Sequence, residues 1–295
     1  MCGSGSGRAG HNDARAIERG GDDVTDHVST GSLRGRTVLI AGASSGIGWH
    51  VARQAAERGA AVVVTARSVE LLNALAARIR SDGGTCLALP ADGTDPEAVE
   101  AMLSAAEAAV GPIHAALLNI GAGPAYHLPT ATVGDILGAM QANYETTVNF
   151  LVPLVARMRK RGGLIAHTNS LAGFLGIPMQ GPYSAAKAAV RILLDTYRTE
   201  LRGSGIRFLS IYPGFVATER TADDGIPAPF EISTQRCAAR IVRAMESRRN
   251  DVAFPWQTAA LTRLLRVLPK PLARRIMLGF VPESWLDHPT PIPRD

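Results

Sequence analysis

The sequence predicts a single doubly wound α/β domain, a seven-stranded parallel sheet with helices on both faces. Three observations carry this. Short strands that are apolar throughout alternate with amphipathic helices from Thr37 to Pro255, and a sheet covered on both faces needs such strands because neither face meets water. The alternation has no linker inside it, although 295 residues would on length alone allow two domains. A glycine-rich turn sits between the first strand and the first helix.

The elements follow in order. Thr37–Ala41 is a short strand, residues 42–48 are the glycine turn, and residues 49–58 form a helix closed by Gly59. Residues 60–66 make a second buried strand, then a helix covers Val69–Ser81 before the turn at Gly83 and Gly84. Strand 85–91, helix Pro96–Val110 and strand 113–119 continue the pattern. One long helix is expected over 133–161, then strand Gly163–Thr168, helix 183–202 ending at Gly203, and strand 206–212. Helix 234–247 and strand 251–255 close the alternation. Glycines past helix ends and prolines near helix starts punctuate it, as backbone geometry favours. Residues 1–33 lack periodicity and read as a disordered tail, 34–256 as the domain, and 257–295 as a basic amphipathic helical extension.

Composition excludes several classes. Hydrophobic residues are 46% and charged residues 19%, an ordinary globular balance. Cys2, Cys86 and Cys237 give neither an even disulfide framework nor a zinc-type pair. No apolar run approaches the roughly 18 residues of a membrane span, and no signal-peptide core opens the chain, so a cytoplasmic protein is expected. No Asp, Glu or His cluster has metal-ligand spacing. The net charge of +5 has a local source. Arg263, Arg266, Lys270, Arg274 and Arg275 lie in 258–282 with no acid; outside them, basic and acidic residues balance at 26 each. A basic groove for nucleic acid is therefore not expected.

The turn Gly42-Ala-Ser44-Ser45-Gly46-Ile47-Gly48 opens the first helix. Unsatisfied N–H groups at a helix start attract a pyrophosphate where no side chain intervenes. At the end of the second strand a dinucleotide site would carry an acid for the ribose hydroxyls. Here Ala66 and Arg67 stand instead. A guanidinium binds a 2′-phosphate that a carboxylate would repel, so NADP(H) is favoured over NAD(H); the alternative is that Arg67 is an ordinary surface arginine.

Tyr183 and Lys187 lie four residues apart, on one helix face. A phenol with a pKa near 10 becomes a better base if an ammonium stabilises its anion, so Lys187 is expected to lower the Tyr183 pKa. Ser170 follows strand Gly163–Thr168, Asn119 and Gly121 end the fourth strand, Asn143 lies within the expected long helix, and Pro213, Gly214, Val216 and Thr218 follow the sixth strand. In order and spacing these motifs, with AGASSGIG, resemble the short-chain dehydrogenase/reductase family, in its single-domain Rossmann branch. The resemblance runs from about Leu33 to Pro255. The segments VVVTARS and SLAG…YSAAK are further similar to 11β-hydroxysteroid dehydrogenase type 1.

The resemblance implies roles. Tyr183 would be the general acid/base, Ser170 would hold the substrate oxygen, Lys187 would tune Tyr183 and grip the ribose, and Asn143 would order a relay water. Gly42, Ser44, Ser45, Gly46, Ile47 and Gly48 would form the pyrophosphate turn and Arg67 the 2′-phosphate contact. Asp92 would meet the adenine, Asn119 would lie beside its ribose, Val216 and Thr218 would hold the carboxamide, and Gly121, Pro213 and Gly214 would also bind the cofactor. It also implies a small-molecule ketone or secondary-alcohol substrate and a homodimer or homotetramer, with a 3-oxoacyl thioester reductase or a non-catalytic cofactor sensor as the alternatives. Three departures stand out. Ala41 replaces a threonine that braces the turn, Leu118 and Ile120 interrupt the usual Asn-Asn-Ala-Gly, and His167 and Thr168 replace an Asn and a branched apolar residue.

Residues 219–233 are expected to form a lid, with Ile226, Pro227, Pro229 and Phe230, together with Leu175, Ile177 and Met179, indicating a lipophilic substrate. His127 and His114 are read as polar surface and satisfied edge histidines, and Cys86 and Cys237 as buried small hydrophobes. In the extension, Leu261, Leu264, Leu265 and Leu268, then Leu272, Ile276 and Phe280, recur at helical spacing beside the five cations. They are expected to pack on the body or a subunit partner, with peripheral membrane contact through 258–282 as the alternative.

Overall fold

The computed structural model describes residues 31–126, 128–218, 228–279 and 281. The expected tail to residue 30, His127, the lid segment 219–227 with Ile226 and Pro227, and Phe280 lie outside the described residues. The seven strands are β1 (Thr37–Ala41), β2 (Ala61–Thr65), β3 (Thr85–Ala88), β4 (Ala115–Leu118), β5 (Gly163–Thr168), β6 (Ile206–Pro213) and, after a two-stranded pair β7 (Val216–Ala217) and β8 (Ile232–Ser233), β9 (Asp251–Phe254). They pair in parallel in the order β3-β2-β1-β4-β5-β6-β9.

Every residue of β1 and β4 is buried, which is why these segments read as continuous apolar runs. Val38, Ile40, Val62 and Val64 face a layer built by α1 (Gly46–Glu57), α2 (Val69–Ser81) and α7 (Thr234–Met245), which contributes Val51, Leu75 and Ile241. Leu39, Val63, Ile165 and Phe208 face the opposite layer of α3 (Pro96–Val110), α5 (Thr146–Met158) and α6 (Gly181–Glu200), with Leu103, Leu151, Leu154 and Leu194. Cys86 and Cys237 are buried in the first layer, and burial pushes their thiols up to about 11 and about 12.

The expected single helix over 133–161 is three pieces. Helix α4 (Val133–Met140) and α5 are joined by a π-helical turn at Gln141–Glu145. The wider turn is stabilised locally: Thr146 Oγ1 donates to the Gln141 carbonyl at 2.8 Å and Thr147 Oγ1 to the Asn143 carbonyl at 2.6 Å. Helix α1 also begins earlier than expected, at Gly46, so part of the glycine turn is its first turn. Helix α6 starts at Gly181, with Pro182 in a position that needs no N–H partner.

Two helices follow β9. In α8 (Trp256–Val267), Thr258, Ala259, Thr262 and Leu265 are buried against the body. Helix α9 (Lys270–Leu278) buries no residue fully, and Leu272, Ile276 and Leu278 are exposed. Packing on the body thus accounts for α8 but not for the outer face of α9. No helix among the described residues is long and apolar enough to cross a membrane.

Candidate active site

In the sheet order, β1 and β4 are neighbours whose outgoing connections lead to opposite sides, which leaves a crevice at the carboxyl ends of the strands. A cleft of about 1430 Å³ opens there. It is lined by Gly42, Ser44, Ser45, Gly46, Ile47, Arg67, Asp92, Asn119, Gly121, Ser170, Tyr183, Lys187, Pro213, Gly214, Val216 and Thr218. Gly48 and Asn143 are not in its wall; each is packed directly behind a glycine that is.

The glycine turn is pressed against the end of β4. Gly42 has φ of 81°, and a Cβ there would overlap the Asn119 carbonyl, while a Cβ on Gly48 would overlap the carbonyl of Gly42. Ala41 was expected to cost the turn a brace. Asn119 supplies one, its Nδ2 donating to the Gly42 carbonyl at 3.2 Å, and the Gly42 N–H donates to Thr65 O at 2.9 Å. Ser45 is the N-cap of α1 but makes no side-chain cap, and no acid stands in the first turn. Arg67 is exposed at the end of β2. Asp92 accepts hydrogen bonds from Thr94, which with nearby Arg67 hold its carboxyl below the usual range.

At the other end of the cleft, Ser170 N-caps a 3-10 turn at Leu171–Phe174, its Oγ accepting from the Ala172 N–H at 3.1 Å. Its side chain lines the same cleft as Tyr183 and is near enough to bear on the phenol's acidity. Lys187 is buried, and its Nζ donates to the carbonyls of Thr168 at 3.1 Å and Ile120 at 3.3 Å. Its ammonium lies 5.6 Å from the centroid of the Tyr183 ring. Burial lowers the Lys187 pKa to about 7. Contrary to the expectation that Lys187 lowers the Tyr183 pKa, burial raises it, and the neighbouring Ser170 hydroxyl only opposes that rise. Burial disfavours the charged form of each group, phenolate and ammonium alike.

Asn143 reaches the site through the π-helical turn. Its Nδ2 donates to Ala122 O at 2.8 Å and Ala139 O at 3.0 Å, leaving a buried Oδ1 with no partner. Gly121 (φ 132°) sits between Asn143 and Lys187: a Cβ there would overlap Asn143 Oδ1 and lie 3.1 Å from Lys187 Nζ. Only a residue without a side chain lets these two approach.

The order of glycine turn, serine, tyrosine and lysine along one doubly wound sheet matches a known pattern. The family model described as short chain dehydrogenase matches residues 36–226. The chain belongs to the short-chain dehydrogenase family. It is 35% identical over 248 residues to an uncharacterized oxidoreductase of Myxococcus xanthus, covering 82% of this chain and 97% of that protein. It is 31% identical to a fatty acyl-CoA reductase of Mycobacterium tuberculosis, covering 86% and 83%. A short-chain type dehydrogenase/reductase from Mycobacterium marinum superposes with a TM-score of 0.70 at 28% identity, over 76% of this chain and 95% of that one. As a short-chain dehydrogenase the protein is an oxidoreductase of a family that uses NAD(P)(H).

The sequence alone assigns no part in the cleft to several residues of this short-chain dehydrogenase, among them leucines read there only as packing residues of the extension. Asn169 joins Ser170 to α6, and Leu261, Leu265 and Met277 bring α8 and α9 to the cleft wall. Leu175, Ile177, Pro229 and Phe230 line the cleft as expected, whereas Met179 does not and is buried. His114 accepts the Thr37 N–H through Nδ1 at 3.0 Å, a satisfied histidine beside a central rather than an edge strand. Among the described residues no group of three His, Cys, Asp or Glu side chains is arranged to hold a metal.

Proposed function

We propose that this oxidoreductase uses NADP(H) to interconvert a ketone and a secondary alcohol on a lipophilic substrate. The observation that carries the reading is that Ser170, Tyr183 and Lys187 share one cleft with the glycine turn, the Lys187 ammonium 5.6 Å from the centroid of the Tyr183 ring. The residues present fit the dinucleotide: Gly42 and Gly48 leave no side chain in the turn, and Ser45 leaves the first-turn amides of α1 uncapped. Gly42, Ser44, Ser45, Gly46, Ile47 and Gly48 would cradle the pyrophosphate, with Asp92, Asn119 and Gly121 toward the adenosine and Pro213, Gly214, Val216 and Thr218 toward the nicotinamide. Arg67 would take the 2′-phosphate, which is the reason for preferring NADP(H). When bound, the cofactor would supply or accept the hydride.

The protein's own residues handle the proton. Burial keeps the Tyr183 phenol protonated at neutral pH, the form that gives a proton to a carbonyl oxygen. Ser170 accepts from Ala172 N–H, so its own proton is directed away from the backbone and would stabilise negative charge developing on the substrate oxygen. The unpartnered Asn143 Oδ1 has room in its hydrogen bonding for a water beside Lys187, which would return protons to Tyr183. The apolar lining by Leu175, Ile177, Phe215, Phe230 and Leu261 supports a lipophilic substrate. The test is NADPH and NADH oxidation with a panel of ketones of rising size. NADPH turnover on bulky apolar ketones supports the reading, and cofactor binding without turnover of any carbonyl would mark a sensor instead.

A 3-oxoacyl thioester as the carbonyl substrate is the second reading, favoured by a relative of Nostoc, 31% identical over 241 residues, that is named a ketoacyl reductase. Exposed Val133 and Leu137 on α4, Val152 on α5 and Ile192 on α6 support a homodimer or homotetramer. Exposed Leu264, Val267, Leu272 and Ile276 near Arg263 and Arg275 support peripheral contact with an anionic membrane.

A further inference from the structure

A second cavity of about 640 Å³ adjoins the active-site cleft and shares Leu175, Pro178, Leu265 and Met277 with it. Its floor is apolar, with Phe174, Leu268 and Leu278. Its rim carries Arg266, Lys270 and Arg274. Lys270 and Arg274 lie one turn apart on α9 and Arg266 lies in the last turn of α8, so the junction of the two helices brings all three cations to one cavity. Among the described residues no carboxylate forms an ion pair with any of them. Arg266 is held in place by the Phe174 ring, 5.1 Å from its centroid, and the same ring receives Arg191 at 4.8 Å. Arg263 and Arg275 are exposed and do not line the cavity.

We infer that this cavity is a subsite for the anionic end of an elongated apolar substrate whose carbonyl lies at Tyr183, and that this end carries phosphate. The inference rests on the carbonyl-reducing reading above and names its substrate class. Three cations without a carboxylate partner beside an apolar floor favour an amphiphile over a purely apolar ligand, because each gains a charged hydrogen bond only when an anion arrives. Three cations match several negative charges, as on a phosphorylated carrier group, better than one carboxylate. The wall that the two cavities share, Leu175, Pro178, Leu265 and Met277, puts that charge within reach of the outer end of a substrate held in the cleft. A 3-oxoacyl thioester of a phosphorylated carrier such as coenzyme A has this shape. Its 3-oxo carbon would receive the hydride from NADPH and its oxygen the Tyr183 proton, with the thioester bond untouched.

The full-length protein is assayed with NADPH and two substrates of the same acyl chain, the 3-oxoacyl coenzyme A ester and its N-acetylcysteamine ester, which lacks phosphate. The wild type is expected to show a KM at least tenfold lower for the coenzyme A ester, with the difference shrinking as salt rises. The variant Arg266→Ala, Lys270→Ala, Arg274→Ala is expected to lose that difference while keeping its kcat and KM on the N-acetylcysteamine ester and its NADPH affinity, which shows that it is folded. Arg263→Ala with Arg275→Ala should keep the difference. Equal KM values for the two esters in the wild type overturn the subsite. So does a KM difference that survives the triple substitution. Phosphate borne by a lipid surface is the other source: sedimentation with phosphatidylglycerol vesicles that depends on Arg266, Lys270 and Arg274, with equal KM values for the two esters, would assign the three cations to a membrane instead. Failure of NADPH turnover on both esters and on every neutral ketone would reject the carbonyl-reducing reading itself.

Discussion

Asn169 ties the end of β5 to α6, the helix that carries Tyr183: its Nδ2 donates to the Lys187 carbonyl at 3.0 Å. Its Oδ1 accepts from the Ser170 N–H at 2.8 Å, so one buried amide fixes the spacing between the serine and the helix that carries Tyr183 and Lys187. Asn169→Ala removes both bonds and leaves buried groups unpaired, at a cost of about 1–3 kcal/mol. Urea unfolding should show this loss, and kcat should fall with little change in NADPH affinity. An unchanged kcat would mean that the brace has no part in positioning Ser170.

Gly121 is the point at which Asn143 and Lys187 come together. Its φ of 132° and the overlap of any Cβ with Asn143 Oδ1 make Gly121→Ala strained on two counts. Backbone strain of this kind costs on the order of 1–3 kcal/mol. The substitution should lower the melting temperature and cut turnover more than cofactor binding. Turnover at the wild-type level would show that the Asn143–Lys187 approach is not needed.

His167 is buried in β5 with both ring nitrogens unpartnered, and desolvation, aided by the charge of Lys187, holds its pKa well below 6.5. The folded state therefore keeps it neutral at pH values where the unfolded chain is protonated. The unfolded chain then binds more protons, so stability falls as pH drops below about 6.5. Unfolding free energies measured from pH 8 to pH 5 should decline over the acidic half, and His167→Gln should flatten that decline. A variant with the wild-type slope would place the acid sensitivity elsewhere.

Arg67 is exposed at the end of β2, close enough to Asp92 to contribute to its lowered pKa. Arg67→Ala should raise KM for NADPH about ten- to a hundredfold, the usual loss for a charged phosphate contact, and leave KM for NADH nearly unchanged. A wild type that uses NADH as well as NADPH would contradict the assignment.

Much of this was legible in the sequence, for a physical reason. Strands such as β1 and β4 are buried on both faces, so their composition alone identifies them. The glycine turn and the Tyr183–Lys187 spacing are local patterns that survive without tertiary information. What escaped is set by contacts distant in sequence. The π-helical turn at Gln141–Glu145 keeps the apolar periodicity of a continuous helix, so it read as one. The Asn169 brace depends on a partner 18 positions away. The direction of the Tyr183 pKa depends on how deeply the phenol is buried, which no spacing reports. Helix α9 showed its cations in the sequence, but only the packed structure divides them between a cavity rim and an outer face.

The central claim is that Tyr183, beside Ser170 in the proposed cofactor cleft, gives and takes the proton. The most direct measurement compares wild type with Tyr183→Phe, following NADPH oxidation on an active ketone and NADPH binding by fluorescence on the same preparations. The substitution removes the transferable proton and keeps the ring, so turnover should disappear while the NADPH dissociation constant stays within about twofold. Substantial residual kcat in the phenylalanine variant, with NADPH bound normally, would show that another group protonates the substrate.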